Sequence, residues 1–422
     1  MNLSVYPNGV TVISDPTSPT GCRVMFVCDP DAFDLRRLGL KDVASVMLYS
    51  DCMKLYRYEE QGHGTIDGRY GHEPEEYAGG LYPAGGSGDT RLERMLQPLP
   101  DGRYGCEVVL PCGAYVYNYQ LTDSTEKTVS RLSDPANPAA VNPVTGVSDL
   151  SSMVYVPYDA AHCNTDRWAD RRLELPKTEG PVGETVITGY PGADGTTHGL
   201  CVYLPAGYDA HRPEPYPVLY LSHGTGFDLY GEEMRWMHEG AVKNINDNLG
   251  VNYVVVCMNN QEFSMGGPGQ PNWDFRKVEE DQLQYIMPWV EAHWNIAREP
   301  AGRAYAGLSM GGATTSNFLM YHGELFSHYG IWSFANVDIG DFCNVSGLAD
   351  PENQQRVAAL KDKKIMLAYG SWDFGLPACR RFGEILDTLR VPYTELEVPS
   401  AHDWNGWQLM YAWAAQNFFW KA

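Results

Sequence analysis

Ser309 lies in the run Ala304-Tyr-Ala-Gly-Leu-Ser-Met-Gly-Gly-Ala313, with Gly307 and Gly311 two positions away on either side. A serine so flanked could do nucleophilic chemistry. The spacing suits a sharp strand-to-helix turn that exposes the hydroxyl on top of a sheet, where backbone crowding demands small neighbours. A hydroxyl is a weak nucleophile and needs a base, which in turn needs an orienting acid. Candidates for both follow. Asp373 closes Tyr369-Gly-Ser-Trp-Asp373, and His402 sits in Ser400-Ala-His-Asp-Trp404. Each piece also has a plainer reading. The serine motif can be a chance glycine-serine turn, and Asp373 or His402 can cap the helix that follows it. Three such features, each after its own strand and in the order Ser, Asp, His, favour a catalytic triad.

A second element, Ser222-His-Gly-Thr-Gly-Phe-Asp228, follows another apolar run. A turn of this kind brings backbone N–H groups towards the serine, so the oxyanion donors are expected to be Thr225, with Gly226 as the fallback, and Met310 at the helix N-terminus. His223 reads as a hydrogen-bonding structural residue, Asp403 as a cap, and Asp338 and Asp341 as substitutes for the acid. Aromatic residues crowd the loops after the catalytic strands. Phe227, Trp236, Trp273, Trp332, Trp372 and Trp404 are expected to form a wall for an aromatic or amphipathic acyl group, while Trp289 and Trp294 read as core. His293, His322 and His328 fall on helix or helix-end positions. No histidines or cysteines pair at metal-ligand spacing, and the chemistry requires no metal and no organic cofactor.

The elements that must position these groups are legible from periodicity. Strand-like runs at Leu200–Leu204, Val218–Ser222, Tyr253–Cys257, Arg303–Leu308, Lys364–Tyr369 and Thr394–Val398 alternate with helical stretches at Glu232–Leu249, Val278–Trp294, Met310–Tyr321, Pro377–Leu389 and Trp404–Phe419. Alternation with near-continuous apolar strands requires an α/β domain built on a mostly parallel, doubly wound sheet. It spans 183–422. Residues 1–160 read as all-β, with strands at Cys22–Cys28 and Ala44–Tyr49, an elaborated loop at Glu59–Arg91, and a row of Tyr115, Tyr117 and Tyr119 on one face of a strand. That row serves either as core and domain interface or as a sugar-stacking platform. Residues 161–182 read as a linker.

The 422 residues carry a formal charge of −22, which makes nucleic acid and anionic membranes unlikely partners by electrostatics. The ten cysteines are scattered, which fits reduced core thiols, although the six in the first 163 residues leave a disulfide open. The N-terminus has neither the basic nor the apolar region of a signal peptide, so the expected location is cytoplasmic; a secreted form whose leader had been removed would read the same.

Two resemblances add to this reading. Asp101-Gly-Arg-Tyr, Cys112-Gly-Ala-Tyr-Val-Tyr and Asp134-Pro-Ala-Asn-Pro138 resemble the immunoglobulin-like sandwich that precedes many esterases, similar to carbohydrate-binding family 48. Val202-Tyr-Leu-Pro-Ala-Gly-Tyr-Asp209, Tyr216-Pro-Val-Leu-Tyr-Leu-Ser-His-Gly224, Gly307-Leu-Ser-Met-Gly-Gly312 and Ala401-His-Asp-Trp404 with Trp407 resemble the esterase-D family of α/β-hydrolases, which includes feruloyl esterases of carbohydrate esterase family 1 and enterochelin esterases. The resemblance implies Ser309 as nucleophile, His402 as base and Asp373 as its orienter. Relatives often show His-Gly-Gly-Gly where this chain has His-Gly-Thr-Gly. The implied substrate is a small aromatic ester or a feruloylated oligosaccharide. A siderophore esterase is the runner-up, but an anionic catecholate needs a basic pocket, and Arg235, Arg276, Arg380 and Arg381 are the few candidates near the motifs. An acyltransferase, a glycan-binding protein on the same scaffold, and a homodimer are also left open.

Overall fold

The structure, a computed structural model, describes residues 3–50, 54–64, 66–85, 92–144, 146, 150–162, 167–168, 170–225, 231–260, 275–337 and 350–421. The second half is organised by an eight-stranded sheet. Its strands are β12 (Glu184–Pro191), β13 (Thr197–Leu204), β14 (Val218–Ser222), β15 (Val254–Met258), β16 (Arg303–Leu308), β17 (His328–Trp332), β18 (Lys364–Gly370) and β19 (Thr394–Val398), in the spatial order β12-β13-β15-β14-β16-β17-β18-β19. β12 to β13 and β13 to β15 pair antiparallel, and all later pairs are parallel.

Strand period explains how one sheet supports two cores. Ala304, Ala306 and Leu308 of β16 enter one apolar cluster and Tyr305 the other. Leu219 and Leu221 of β14 likewise face opposite to Val218 and Tyr220. The central strands are therefore buried on both faces, and their apolar runs are continuous. The helix Met310–Tyr321 is buried along all but its last residue.

Where elements differ from the sequence expectation, the cause is local. β17 carries His328 and Trp332, placing both in the sheet and not on a helix end or in a loop. Its Gly330 hides it, because a Cβ there would lie 2.8 Å from that of Ala306. The stretch expected as one helix over 278–294 is Phe275–Asp281, a π turn Gln282–Ile286, and Met287–His293. Pro288 has no N–H for the ladder, and the π turn absorbs the gap. The stretch over 232–249 breaks at Ala241, whose φ is 51°.

Among the described residues the first half holds two larger antiparallel sheets and one separate two-stranded pair. β1 (Gly9–Ser14), β2 (Cys22–Cys28), β7 (Gln97–Pro98) and β8 (Tyr104–Val108) form one, ordered β1-β2-β8-β7. β3 (Ser45–Ser50), β6 (Leu92–Met95), β9 (Gly113–Thr122) and β10 (Thr128–Leu132) form the other, ordered β10-β9-β3-β6, and β11 (Ser152–Val156) adds to β9. The two larger sheets share one core containing Val24, Phe26, Val46, Leu48, Val108 and the whole tyrosine row. Tyr115 donates to the Pro111 carbonyl at 2.9 Å and Tyr117 to Asp134 at 2.8 Å, with all three rings fully buried. The row is therefore core and no sugar platform, since a ring without surface cannot stack on a ligand.

The opposite face of β9 decides how the halves meet. Ala114 and Val116 join Leu150 and Met153 in the same apolar cluster as Trp236, Trp404 and Met410. The segment expected as a linker is likewise built in. The buried Arg171 guanidinium lies 2.8 Å from Glu174, donates to Asn405 at 2.6 Å and also bonds Gln408, while Glu174 accepts the Ala114 N–H at 3.2 Å. A buried cation satisfied from three sides fixes the join between the halves. Among the described residues no helix is long and apolar enough to cross a membrane.

Candidate active site

Ser309 stands between β16 and the helix Met310–Tyr321 at φ 52°, ψ −117°, a conformation costly for a residue with a side chain. The surroundings hold it there. Its N–H donates to the Trp332 carbonyl at 2.9 Å, and the flanking glycines let backbones touch. A Cβ on Gly307 would sit 2.6 Å from the Gly311 carbonyl carbon, and one on Gly311 would sit 2.5 Å from the His223 carbonyl oxygen. Backbone atoms cannot yield as a side-chain tip can. Gly311→Ala is therefore expected to cost about 1–3 kcal/mol of stability by overpacking. By shifting the 222–225 loop against Ser309 it is also expected to lower kcat by about 100-fold. Urea unfolding and ester turnover together check this.

His402 bridges the other two groups. Its Nε2 lies 3.0 Å from Ser309 Oγ and its Nδ1 2.8 Å from Asp373 Oδ1. Asp373 Oδ1 also accepts the Gly375 N–H at 2.7 Å, and its Oδ2 accepts no hydrogen bond among the described residues. The carboxylate is fully buried, whereas the imidazole keeps 12% of its side-chain surface. A buried anion with few donors gains strongly from a partner, so the arrangement favours Nδ1–H towards Asp373. That leaves the Nε2 lone pair facing the serine hydroxyl. The acid and base loops are joined directly: the Ser371 N–H bonds the Val398 carbonyl at 2.8 Å, and the Trp372 N–H bonds the Ser400 carbonyl at 3.0 Å. Asp403 caps the last helix, Trp404–Asn417, through the Gly406 N–H.

The loop after β14 passes over the serine. A Cβ on Gly224 would lie 3.2 Å from that of Ser309, which brings Thr225, the next residue, beside the site. Met310 is the first residue of its helix, so its N–H has no intrahelical acceptor. His223 anchors the loop from below. Its Nδ1 faces the Gly224 carbonyl at 2.5 Å, and its Nε2 accepts the Asn260 N–H at 2.9 Å. Burial pushes it down to about 3, so it is neutral and cannot serve as a proton carrier near pH 7. Gly226, Phe227 and Trp273, together with Asp338 and Asp341, lie outside the described residues.

The expected aromatic wall is corrected. Trp236 and Trp332 are 0% exposed and stand edge to face at 5.7 Å, and Trp236 donates to the Ser222 carbonyl at 2.8 Å. Trp372 is also buried, against Tyr56 of the N-terminal half. These rings brace the loops from behind. Trp404 keeps 8% of its surface and leads through Trp407 to the His402 ring, 5.1 Å away. Among the described residues the exposed aromatic beside the base is Phe374, 51% exposed, with its ring centroid 4.0 Å from that of His402. Sequence reasoning passed over it, although its position directly after the acid was a signal available to find it.

The fold and the Ser309–His402–Asp373 geometry define a chain of the α/β-hydrolase class. The profile of the family described as "Putative esterase" matches residues 195–412, and the chain belongs to that family. An endo-1,4-beta-xylanase/feruloyl esterase of Xylanibacter ruminicola is 34% identical over 143 residues, 31% of this chain and 19% of that protein. Esterase Rv1288 of Mycobacterium tuberculosis is 25% identical over 256 residues, 50% of this chain and 53% of its own length. The chain thus spans between about a fifth and about half of the curated relatives it matches. Among solved structures, the enterobactin esterase of Shigella flexneri is 13% identical with TM-score 0.52 over 98% of both chains, a likeness of fold.

Proposed function

We propose that the chain is a serine carboxylic-ester hydrolase acting on hydroxycinnamoyl esters, such as feruloylated fragments of plant polysaccharide. The observation that carries the hydrolase reading is the pair of contacts His402 makes, 3.0 Å to Ser309 Oγ and 2.8 Å to Asp373 Oδ1. His402 takes the hydroxyl proton as Ser309 Oγ attacks the ester carbonyl, and Asp373 stabilises the imidazolium that forms. The N–H groups of Met310 and Thr225 receive the oxyanion, each contributing roughly 3 kcal/mol to lowering the barrier. His402 returns the proton to the departing alcohol. It then activates a water that hydrolyses the acyl-enzyme. The chemistry calls for no metal.

The substrate class rests on two features. Phe374 offers an open aromatic face beside the base. The arginines an anionic catecholate would need are mostly committed: Arg235 to the buried Glu232 and Glu239, Arg380 to Glu397, and Arg381 to Glu384. The xylanase/feruloyl esterase relative agrees with this choice. The N-terminal sandwich is read as immunoglobulin-like and similar to carbohydrate-binding family 48, with the domains falling at 1–160 and 183–422.

The test is hydrolysis of methyl ferulate, a short p-nitrophenyl ester and a cyclic catecholate triester, side by side. The expected order puts methyl ferulate first by kcat/KM. A preference for the triester would overturn the hydroxycinnamoyl assignment and leave the hydrolase. Acyl transfer to an added sugar faster than to water would replace hydrolase by acyltransferase.

A further inference from the structure

The N-terminal half sends a hairpin into the active site. β4 (Lys54–Arg57) and β5 (Leu81–Ala84) pair antiparallel, apart from both sheets of the sandwich, and lie between β3 and β6 in the chain. β5 and the connection from Glu59 onward fall in the stretch expected from sequence as an elaborated loop, and the hairpin with that connection carries three contacts to the catalytic loops. The Gly85 N–H donates to Asp403 Oδ2 at 2.8 Å, across 318 residues of chain. The Gly64 N–H donates to the Ser371 carbonyl at 2.7 Å. Tyr56, Ile66 and Ala84 form one apolar cluster with Trp372 and Ala401, and the Tyr56 and Trp372 ring centroids are 5.9 Å apart. Trp372 and Ala401 are the residues immediately before Asp373 and His402. Asp403, immediately after His402, is buried and divides its oxygens: Oδ1 accepts from Ser400 Oγ at 2.7 Å and Gly406 N–H at 3.0 Å, and Oδ2 from Gly85 N–H at 2.8 Å and Ala401 N–H at 3.3 Å.

We infer that the hairpin is a positioning element of the active site: through Gly85 on Asp403 and Tyr56 on Trp372 it holds the loops bearing His402 and Asp373 in register with Ser309. The inference rests on the triad reading above and assigns the N-terminal half a part in the reaction. The physical reason lies in what each loop lacks. Two residues separate the end of β18 from Asp373 and three the end of β19 from His402, and neither loop has secondary structure to fix its tip. Hydrogen bonds between the loops fix one relative to the other but not the pair relative to the serine. A buried backbone donor on a buried carboxylate and a fully buried ring behind Trp372 supply that third constraint. A displacement of 1 Å at such a site is enough to cost about 100-fold in rate.

The experiment uses the full chain with Asp403→Asn, Tyr56→Ala and Tyr56→Phe. Asp403→Asn can keep its oxygen on Ser400 and Gly406 while turning an N–H2 towards the Gly85 and Ala401 N–H groups, so it opposes the strut together with one bond inside the base loop and spares the cap. Two readouts are taken below the onset of unfolding: kcat and KM on an ester, and the rate at which an organophosphonate probe labels Ser309. The second depends on the Ser309–His402 pair and not on which ester is natural. Expected for Asp403→Asn and Tyr56→Ala are 10- to 100-fold losses in kcat and in labelling rate with KM within about threefold, while Tyr56→Phe restores most of both. Folded variants with unchanged kcat and labelling rate would overturn the inference, because mere interface packing would lower the melting temperature alone. If Tyr56→Ala does not fold, Tyr56→Leu takes its place, since Asp403→Asn also disturbs the Ala401 N–H beside the base. Labelling that persists in Ser309→Ala would instead sink the triad reading on which the inference rests.

Discussion

Ser309→Ala is expected to lower kcat on any ester the enzyme turns over by about a million-fold, with little change in stability. Removal of a triad nucleophile elsewhere costs about that much, and what survives comes from the oxyanion donors and binding alone. Here the substitution deletes one oxygen in contact with His402 Nε2 at 3.0 Å and leaves the backbone in place. The φ of 52° at this position is held by the Trp332 carbonyl and the Gly307–Gly311 contact, neither of which uses the hydroxyl. Alanine keeps that strain, so the melting temperature is expected to stay within a few degrees. Steady-state turnover against an uncatalysed blank, with a thermal melt on the same sample, checks both halves.

Asp373→Asn is expected to lower kcat by about 1,000- to 10,000-fold without lowering stability. Two features lead to this outcome. The Gly375 N–H and His402 Nδ1 both address Oδ1, so an asparagine keeps the contact geometry, but a neutral amide no longer fixes the imidazole in the tautomer that leaves Nε2 free for the serine. The charge is lost, and with it the stabilisation of the imidazolium that forms as the serine attacks. The burial of Asp373, with Oδ2 accepting nothing among the described residues, means that the native carboxylate carries a desolvation cost that the neutral amide does not. A variant almost inactive yet at least as stable in urea is the expected signature. A large loss of stability would show that Asp373 serves the fold before the chemistry.

The sequence revealed the nucleophile turn and its partners because each sits at a strand end with a forced local conformation. Gly307 and Gly311 have no freedom to be anything larger, and Asp373 and His402 close loops directly after apolar strands. Motif and period are local, and so are these constraints. Of the expected aromatic wall, Trp236, Trp332 and Trp372 are core, because residue type does not report which side of a loop a ring faces, while Phe374, at the site, stood unremarked beside Asp373. For the tyrosine row of β9 the period was clear and the core alternative is the one observed, but which face was core had to be decided by a second sheet and by the helix Trp404–Asn417. What residues 161–182 and the Glu59–Arg91 stretch touch was not legible, because their partners are distant. Arg171 meets Asn405, and Gly85 meets Asp403, across more than 200 residues in each case. No period or motif announces such a contact.

The central claim, that Ser309 forms a covalent acyl-enzyme under His402 and Asp373, is tested most directly by acid quenching during turnover of a p-nitrophenyl ester. Intact mass and peptide mapping then locate the adduct. The account predicts one acyl group per chain on the peptide containing Ser309, a burst of nitrophenol of matching size, and neither in Ser309→Ala. An acyl group on another residue, or wild-type turnover by Ser309→Ala, would contradict it.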